Sequence, residues 1–266
     1  FAVPNIKQLL KTSVMFKRGR GSKTLLPLKG QTWTMIFAKS STRTRVSFEV
    51  GIHELGGKAL FLNTDDIQLG RGELVKDTAR VLGRMTHGCI IRTYAQQDVE
   101  DFAHYSQIPT VNALTDQEHP CQILTDLFTM EERFGTVRGK VVAFVGDGAS
   151  NISNSWAFAA GKMDFELRVA APVEFQLSDE VMEKAKGKIV RTTDPLEAAE
   201  GADVLYTDTW VSMGKEEEEA RRLSLLDGYQ INRKLLEKAK KEAIVLHCLP
   251  AYRGKEISEE VFEQFS

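Results

Sequence analysis

The sequence predicts an α/β protein of two domains, each a mostly parallel sheet with helices on both faces. Three observations point to it. Apolar runs alternate with amphipathic stretches along all 266 residues. The apolar runs are short and nearly continuous, as strands covered on both faces must be. Unusual polar residues gather just after those runs, and open parallel sheets bind ligands beyond the carboxyl ends of their strands.

In the first half, residues 32–37, 59–62, 89–91 and 110–114 read as buried strands. Helical spacing separates them at 45–55, 73–85 and 98–105. Residues 121–134 read as one long helix, and the Gly135–Gly139 segment is a plausible break before a new strand. The domain boundary is therefore expected there, giving domains 1–135 and 136–266. In the second half the expected strands are 140–145, 167–171, 188–191, 204–207 and 243–246, with helices at 154–162, 179–186, 196–200 and 232–241. Strand–helix alternation of this kind implies parallel sheets. The two halves are not repeats of one another. The acidic run at 216–219, followed by Arg221 and Arg222, reads as a solvated loop or helix face.

Bulk composition narrows the function. Hydrophobic residues make up 42% and charged residues 27%, ordinary for a globular protein. A net charge of −2 argues against a global attraction to nucleic acid or an anionic membrane. No apolar run reaches the roughly 20 residues of a membrane span. Cys89, Cys121 and Cys248 are scattered, form no CxxC pair, and suggest a reducing compartment rather than a disulfide framework. The start, Phe1-Ala2-Val3-Pro4, has no signal or transit composition, so cytosol and mitochondrial matrix both fit.

After the first strand comes Ala38-Lys39-Ser40-Ser41-Thr42-Arg43-Thr44-Arg45, leading into an amphipathic helix. Free backbone N–H groups and the positive dipole end at a helix start favour an anion, and arginine adds a planar fork that matches phosphate oxygens. A plain helix cap with surface arginines is the alternative. Arg92 ends the strand Gly88-Cys89-Ile90-Ile91, where a buried cation is costly unless paired or facing a ligand; a rim salt bridge is the other reading. His119-Pro120-Cys121-Gln122 opens the long helix. Proline suits the first turn, so the imidazole sits at a helix N-terminus, where the dipole favours a neutral ring.

In the second half, Gly146-Asp147-Gly148 ends a strand and Asn151 and Asn154 precede a helix. This is not GxGxxG and no ribose-binding acid follows, so a nicotinamide cofactor is not expected. Asn151 suits the zwitterionic end of a small amino acid. Asp208 opens Asp208-Thr209-Trp210-Val211-Ser212-Met213-Gly214 at another strand end, where it can hold an ammonium or orient an amine. His247-Cys248-Leu249-Pro250 ends the last strand. A Cys–His pair suggests a thiol nucleophile, but neighbours along an extended strand point to opposite faces.

These segments, in this order, resemble the aspartate/ornithine carbamoyltransferase family over almost the entire chain. Ser41–Arg45 (STRTR) and His119–Gln122 (HPCQ) are similar to its carbamoyl phosphate motifs, and Asp208–Gly214 and His247–Pro250 to those of its ornithine-specific branch. The resemblance implies transfer of a carbamoyl group to the δ-amine of ornithine, giving citrulline and phosphate, within arginine biosynthesis or the urea cycle. It implies that Ser41, Thr42, Arg43 and Thr44 bind the phosphate, that Arg92, His119 and Thr44 meet the carbonyl oxygen, and that Gln122 meets the amino group. Asn151, Asp208, Ser212 and Met213 would hold the α-amino and carboxylate groups of ornithine, with Cys248 and the backbone of Leu249 near the reacting amine. Arg92, His119, Cys248 and Asp208 are thus the expected catalytic set. A homotrimer is implied, with sites at the subunit seams and Gln68 reaching the phosphate of a neighbouring site. Members of that family continue past the position of Ser266 into a terminal helix bearing an arginine for carbamoyl phosphate. No metal, cofactor or covalent intermediate is required. The rivals are a carbamoyltransferase for aspartate, putrescine or a modified ornithine, and a non-catalytic binding protein that kept the fold.

Overall fold

The computed structural model describes residues 2–21, 25–63, 72–211 and 218–265. Gln68, Ser212 and Met213 lie outside the described residues. The backbone divides into two compact units, Val3–Cys121 and Gln122–Ser266. The boundary expected at 135/136 falls at the far end of the helix α5 (Pro120–Phe134), which packs with the second unit. Its side chains explain this: Phe134 lies under the Lys140 ammonium, and Asp126 meets Tyr206.

The first unit begins with α1 (Val3–Arg18) and continues β1 (Thr32–Phe37), α2 (Thr42–Glu54), β2 (Lys58–Asn63), α3 (Val75–Met85), β3 (Gly88–Arg92), α4 (Gln96–Ser106) and β4 (Thr110–Leu114). The strands pair in parallel in the order β2-β1-β3-β4. Side-chain alternation assigns the two faces. Ile36, Cys89 and Ile91 pack with Ala79, Val99 and Phe102 of α3 and α4. Met35, Phe37 and Ile90 pack with Ile52 of α2. The chain runs outward from β1 to β2, then returns past β1 to lay down β3. The crevice at the carboxyl ends of β1 and β3 is therefore the switch point where a ligand is expected.

The second unit repeats this logic. After α5 it contains β5 (Val141–Val145), α6 (Asn151–Met163), β6 (Glu166–Ala170), a 3₁₀ turn (Val173–Phe175), α7 (Asp179–Ala185), β7 (Lys188–Thr192), α8 (Pro195–Ala199), β8 (Val204–Thr207), α9 (Glu219–Leu226), α10 (Arg233–Leu236), β9 (Ile244–His247) and α11 (Glu259–Phe265). Its parallel order is β7-β6-β5-β8-β9, which puts the switch point between β5 and β8. Ala143, Val145, Leu205 and Val245 pack with Ala198, Ala199, Leu235 and Val261. On the other face Tyr206 stacks on Phe144 at 5.9 Å and meets the Trp156 edge at 5.2 Å.

Several elements differ from expectation for identifiable reasons. α2 and α6 start earlier than the spacing suggests, because Ser41 and Ser150 accept the N–H groups of Thr44 and Ser153. Candidate loop residues thereby become first-turn helix residues. The helix expected over 232–241 is cut to Arg233–Leu236. The Lys238 carbonyl accepts from Gly201 and the Lys240 N–H donates to Ala202, so the backbone bonds leave the helix for the approach to β8. The solvated charge run is corrected at Arg222. Glu218, Glu219 and Arg221 are exposed, but Arg222 is buried against Asp147, donates to the Trp210 carbonyl at 2.7 Å and lies over Phe175. Among the described residues no helix is long and apolar enough to cross a membrane.

Candidate active site

In the first unit the polar groups converge at the switch point. Ser41 is extended at the N-cap of α2; its Oγ accepts the Thr44 N–H at 3.3 Å and donates to Thr44 Oγ1 at 2.9 Å. Arg92, at the end of β3, is only 8% exposed and directs a guanidinium N–H at Thr44 Oγ1, 3.4 Å away. The adjacent strand end holds its backbone, since the Ala38 N–H donates to the Arg92 carbonyl at 2.8 Å. A guanidinium this deep pays a desolvation cost that an anionic or polar ligand would offset.

His119 lies close enough to Arg92 to feel its charge. Burial first, and Arg92 second, lower the imidazole pKa to about 4. His119 also stands immediately before α5, whose positive dipole end acts in the same direction. At neutral pH the ring is uncharged, suited to donating one hydrogen bond rather than a proton.

Thr42 and Arg43 stand exposed in the first turn of α2. Their backbone N–H groups, at the first positions of the helix, have no acceptor inside it. Sequence reasoning passed over Lys39. It is buried, paired with Asp116, and its ammonium sits 4.4 Å from the centre of the Tyr94 ring. Its signal was a lysine at the mouth of an otherwise apolar strand.

In the second unit Asp208 and Cys248 meet at the ends of β8 and β9. The thiol donates to Asp208 Oδ1 at 2.8 Å, and the Thr209 N–H donates to the same oxygen at 2.7 Å. Burial raises the Asp208 pKa, and burial together with Asp208 raises the Cys248 thiol well above its usual value. A thiol held in the neutral form is a poor nucleophile.

The expectation that His247 and Cys248 point to opposite faces is corrected. β9 ends at His247, and Leu249 turns through a left-handed φ of 60°, so strict alternation no longer applies. Asp208, His247 and Cys248 each bring one donor atom within 4.8 Å of the others, a spacing that could receive a metal ion. Both His247 nitrogens already have partners, however: Nε2 faces Glu256 at 3.1 Å and Nδ1 accepts the Leu249 N–H at 2.8 Å. The Leu249 N–H is thus committed, leaving its carbonyl as the backbone group available to a substrate.

Asn151 opens α6 beside the tight Gly146-Asp147-Gly148 turn. Gly146 has a φ of 134°, and a Cβ on Gly148 would lie 2.7 Å from the Phe175 carbonyl oxygen, so neither position accepts a side chain without strain. Gln122, in the first turn of α5, donates from Nε2 to Asp126 Oδ1 at 3.0 Å.

Comparison with known proteins fits this arrangement. Residues 1–132 match the family described as aspartate/ornithine carbamoyltransferase, carbamoyl-P binding domain, and residues 138–265 match its Asp/Orn binding domain. The ornithine carbamoyltransferase of Akkermansia muciniphila is 56% identical, covering 98% of this chain and 87% of that protein. That of Methanoculleus marisnigri is 49% identical, covering 97% and 84%. Among solved structures, the anabolic ornithine carbamoyltransferase of Campylobacter jejuni superposes with a TM-score of 0.92 at 44% identity, covering all of this chain and 89% of that one.

Proposed function

The chain belongs to the aspartate/ornithine carbamoyltransferase family, and on that footing we propose that it moves the carbamoyl group of carbamoyl phosphate to the δ-amine of ornithine, giving citrulline and phosphate. One observation carries the choice of acceptor: the buried Asp208 carboxyl at the β5/β8 switch point, fixed by Cys248 and Thr209. An acid there pairs with the non-reacting ammonium, which ornithine has and aspartate lacks, and repels the second carboxylate of aspartate.

The roles follow from charge. Residues 1–135 bind carbamoyl phosphate and 136–266 bind ornithine. Ser41, Thr42, Arg43 and Thr44 receive the phosphate at the start of α2, where free N–H groups and the helix dipole favour it. Gln122 accepts a hydrogen bond from the carbamoyl amino group. Asn151, Asp208, Ser212 and Met213 hold the amino-acid end of ornithine, with Cys248 and Leu249 beside the attacking amine. That amine attacks as the free base, because an ammonium has no lone pair. Attack on the carbonyl carbon builds a tetrahedral oxyanion, which Arg92, neutral His119 and Thr44 stabilise. Collapse expels phosphate into the α2 cradle, where it accepts the surplus proton.

Offering ornithine, putrescine and aspartate in parallel with carbamoyl phosphate tests this reading. Carbamoylation of ornithine at a rate far above the other two is expected; aspartate as the preferred acceptor, or ornithine binding without product, overturns it.

The homotrimer, with Gln68 serving a neighbouring subunit's site, is proposed on the family resemblance. Mixing a Gln68→Ala protein with an Arg92→Ala protein should restore part of the activity, since some seams in the hybrids then carry both residues intact. Hybrids as inactive as their parents would remove the shared site.

A further inference from the structure

Asp126 plays no part in the roles assigned above, yet it is a carboxylic acid inside the protein. It lies on α5 among Ile123, Leu127 and Met130, all buried. An isolated acid there costs free energy that an alanine would not, and burial lifts its pKa to about 7. What it touches is specific. Gln122, one turn earlier on the same helix face, donates its amide Nε2 to Asp126 Oδ1 at 3.0 Å. From β8, the fully buried Tyr206 hydroxyl lies against the same carboxyl. Neither Asp126 Oδ2 nor the Tyr206 hydroxyl has a well-formed hydrogen bond among the described residues, so each is the polar group the other meets.

We propose that Asp126 is a positioning residue that fixes which end of the Gln122 amide faces the donor substrate, and so lets the site tell a carbamoyl group from an acetyl group. This rests on the reading proposed above, in which Gln122 meets the carbamoyl amino group. A glutamine amide is nearly symmetric in shape but opposite in hydrogen-bonding sense at its two ends. Asp126 Oδ1 accepts from Nε2 and thereby turns Oε1 outward as an acceptor. A carbamoyl –NH2 donates to that oxygen; the methyl of acetyl phosphate, otherwise the same around carbonyl and phosphate, cannot. The orientation survives protonation of Asp126, because a proton on Oδ2 can be donated to the Tyr206 oxygen while Oδ1 goes on accepting. A site built to receive a substrate N–H rejects an analogue lacking it, since the acceptor is left unsatisfied once the bound analogue has displaced its water.

Asp126→Asn keeps the shape and removes the constraint. The new amide can accept from Gln122 or donate to it, so the Gln122 side chain can turn over and present Nε2 to a substrate group that is itself a donor. Equilibrium binding of carbamoyl phosphate and of acetyl phosphate to the wild-type and Asp126→Asn proteins is the test. Carbamoyl phosphate should weaken by about tenfold while acetyl phosphate changes by less than about twofold. Tyr206→Phe, which leaves the carboxyl but removes its second anchor, should shift the ratio in the same direction by a smaller factor, and serves if Asp126→Asn does not fold. Equal weakening of both phosphates, with citrulline still formed by the wild-type protein, overturns the role of Asp126 and leaves the proposed reaction standing. Absence of citrulline with the wild-type protein overturns the reaction, and the assignment of Asp126 with it.

Discussion

Arg92→Ala lowers kcat by about 10²–10³, the usual cost of losing one donor to a developing oxyanion, while the fold persists. Arg92 is buried at the last position of β3, and its contact with Thr44 Oγ1 is a long 3.4 Å. Its removal takes charge from the pocket without opening the core formed by Met35, Phe37 and Ile90. A second readout separates this from a general loss of structure. Arg92 is one of two causes holding the His119 pKa down near 4, so the variant's imidazole should titrate higher, while burial still keeps it below an ordinary histidine. Steady-state kinetics and a nuclear magnetic resonance titration of His119 provide both numbers. Unchanged turnover would remove Arg92 from the chemistry, and an unmoved His119 would deny that the two share a pocket.

Asp208→Asn weakens ornithine by roughly 10–10²-fold, the range for a buried hydrogen bond to a charged group, and leaves carbamoyl phosphate binding nearly unchanged. The asymmetry arises because Asp208 belongs to the second unit, at the ends of β8 and β9, whereas the groups proposed for the phosphate lie on α2 and β3 of the first. The same substitution should lower the Cys248 thiol pKa, since Asp208 is among the causes that raise it. KM for each substrate, with a thiol-reactivity profile against pH, checks the pair of effects. Equal losses for both substrates would contradict the assignment.

Much of the fold, and the polar groups at its strand ends, was visible in the sequence because the signals are local. A short apolar run followed by a cluster of polar residues marks a parallel strand and its ligand end. Ser41, Arg92, His119, Asp208 and Cys248 each lie just after such a run. What escaped depends on contacts between distant residues. Arg222 looked solvated because its neighbours Glu218, Glu219 and Arg221 are; its burial depends on Asp147, far back in the chain. Asp126 had a readable signal, an acid on the apolar face of a helix, but its meaning needs Tyr206 from another strand. His247 and Cys248 were assigned to opposite faces by a rule that holds within strands, and β9 ends between them. The early starts of α2 and α6 turn on serine caps, whose hydrogen bonds no periodicity records.

The account depends most on the claim that the hydroxyl, guanidinium and imidazole groups of the first unit form one pocket for carbamoyl phosphate. A crystal structure of the protein soaked with carbamoyl phosphate measures this directly. The phosphate should sit at the start of α2, within hydrogen-bonding distance of the Ser41–Thr44 segment, with the carbonyl oxygen between Arg92 and His119. Phosphate density elsewhere, with Arg92 and His119 facing no ligand, would contradict it.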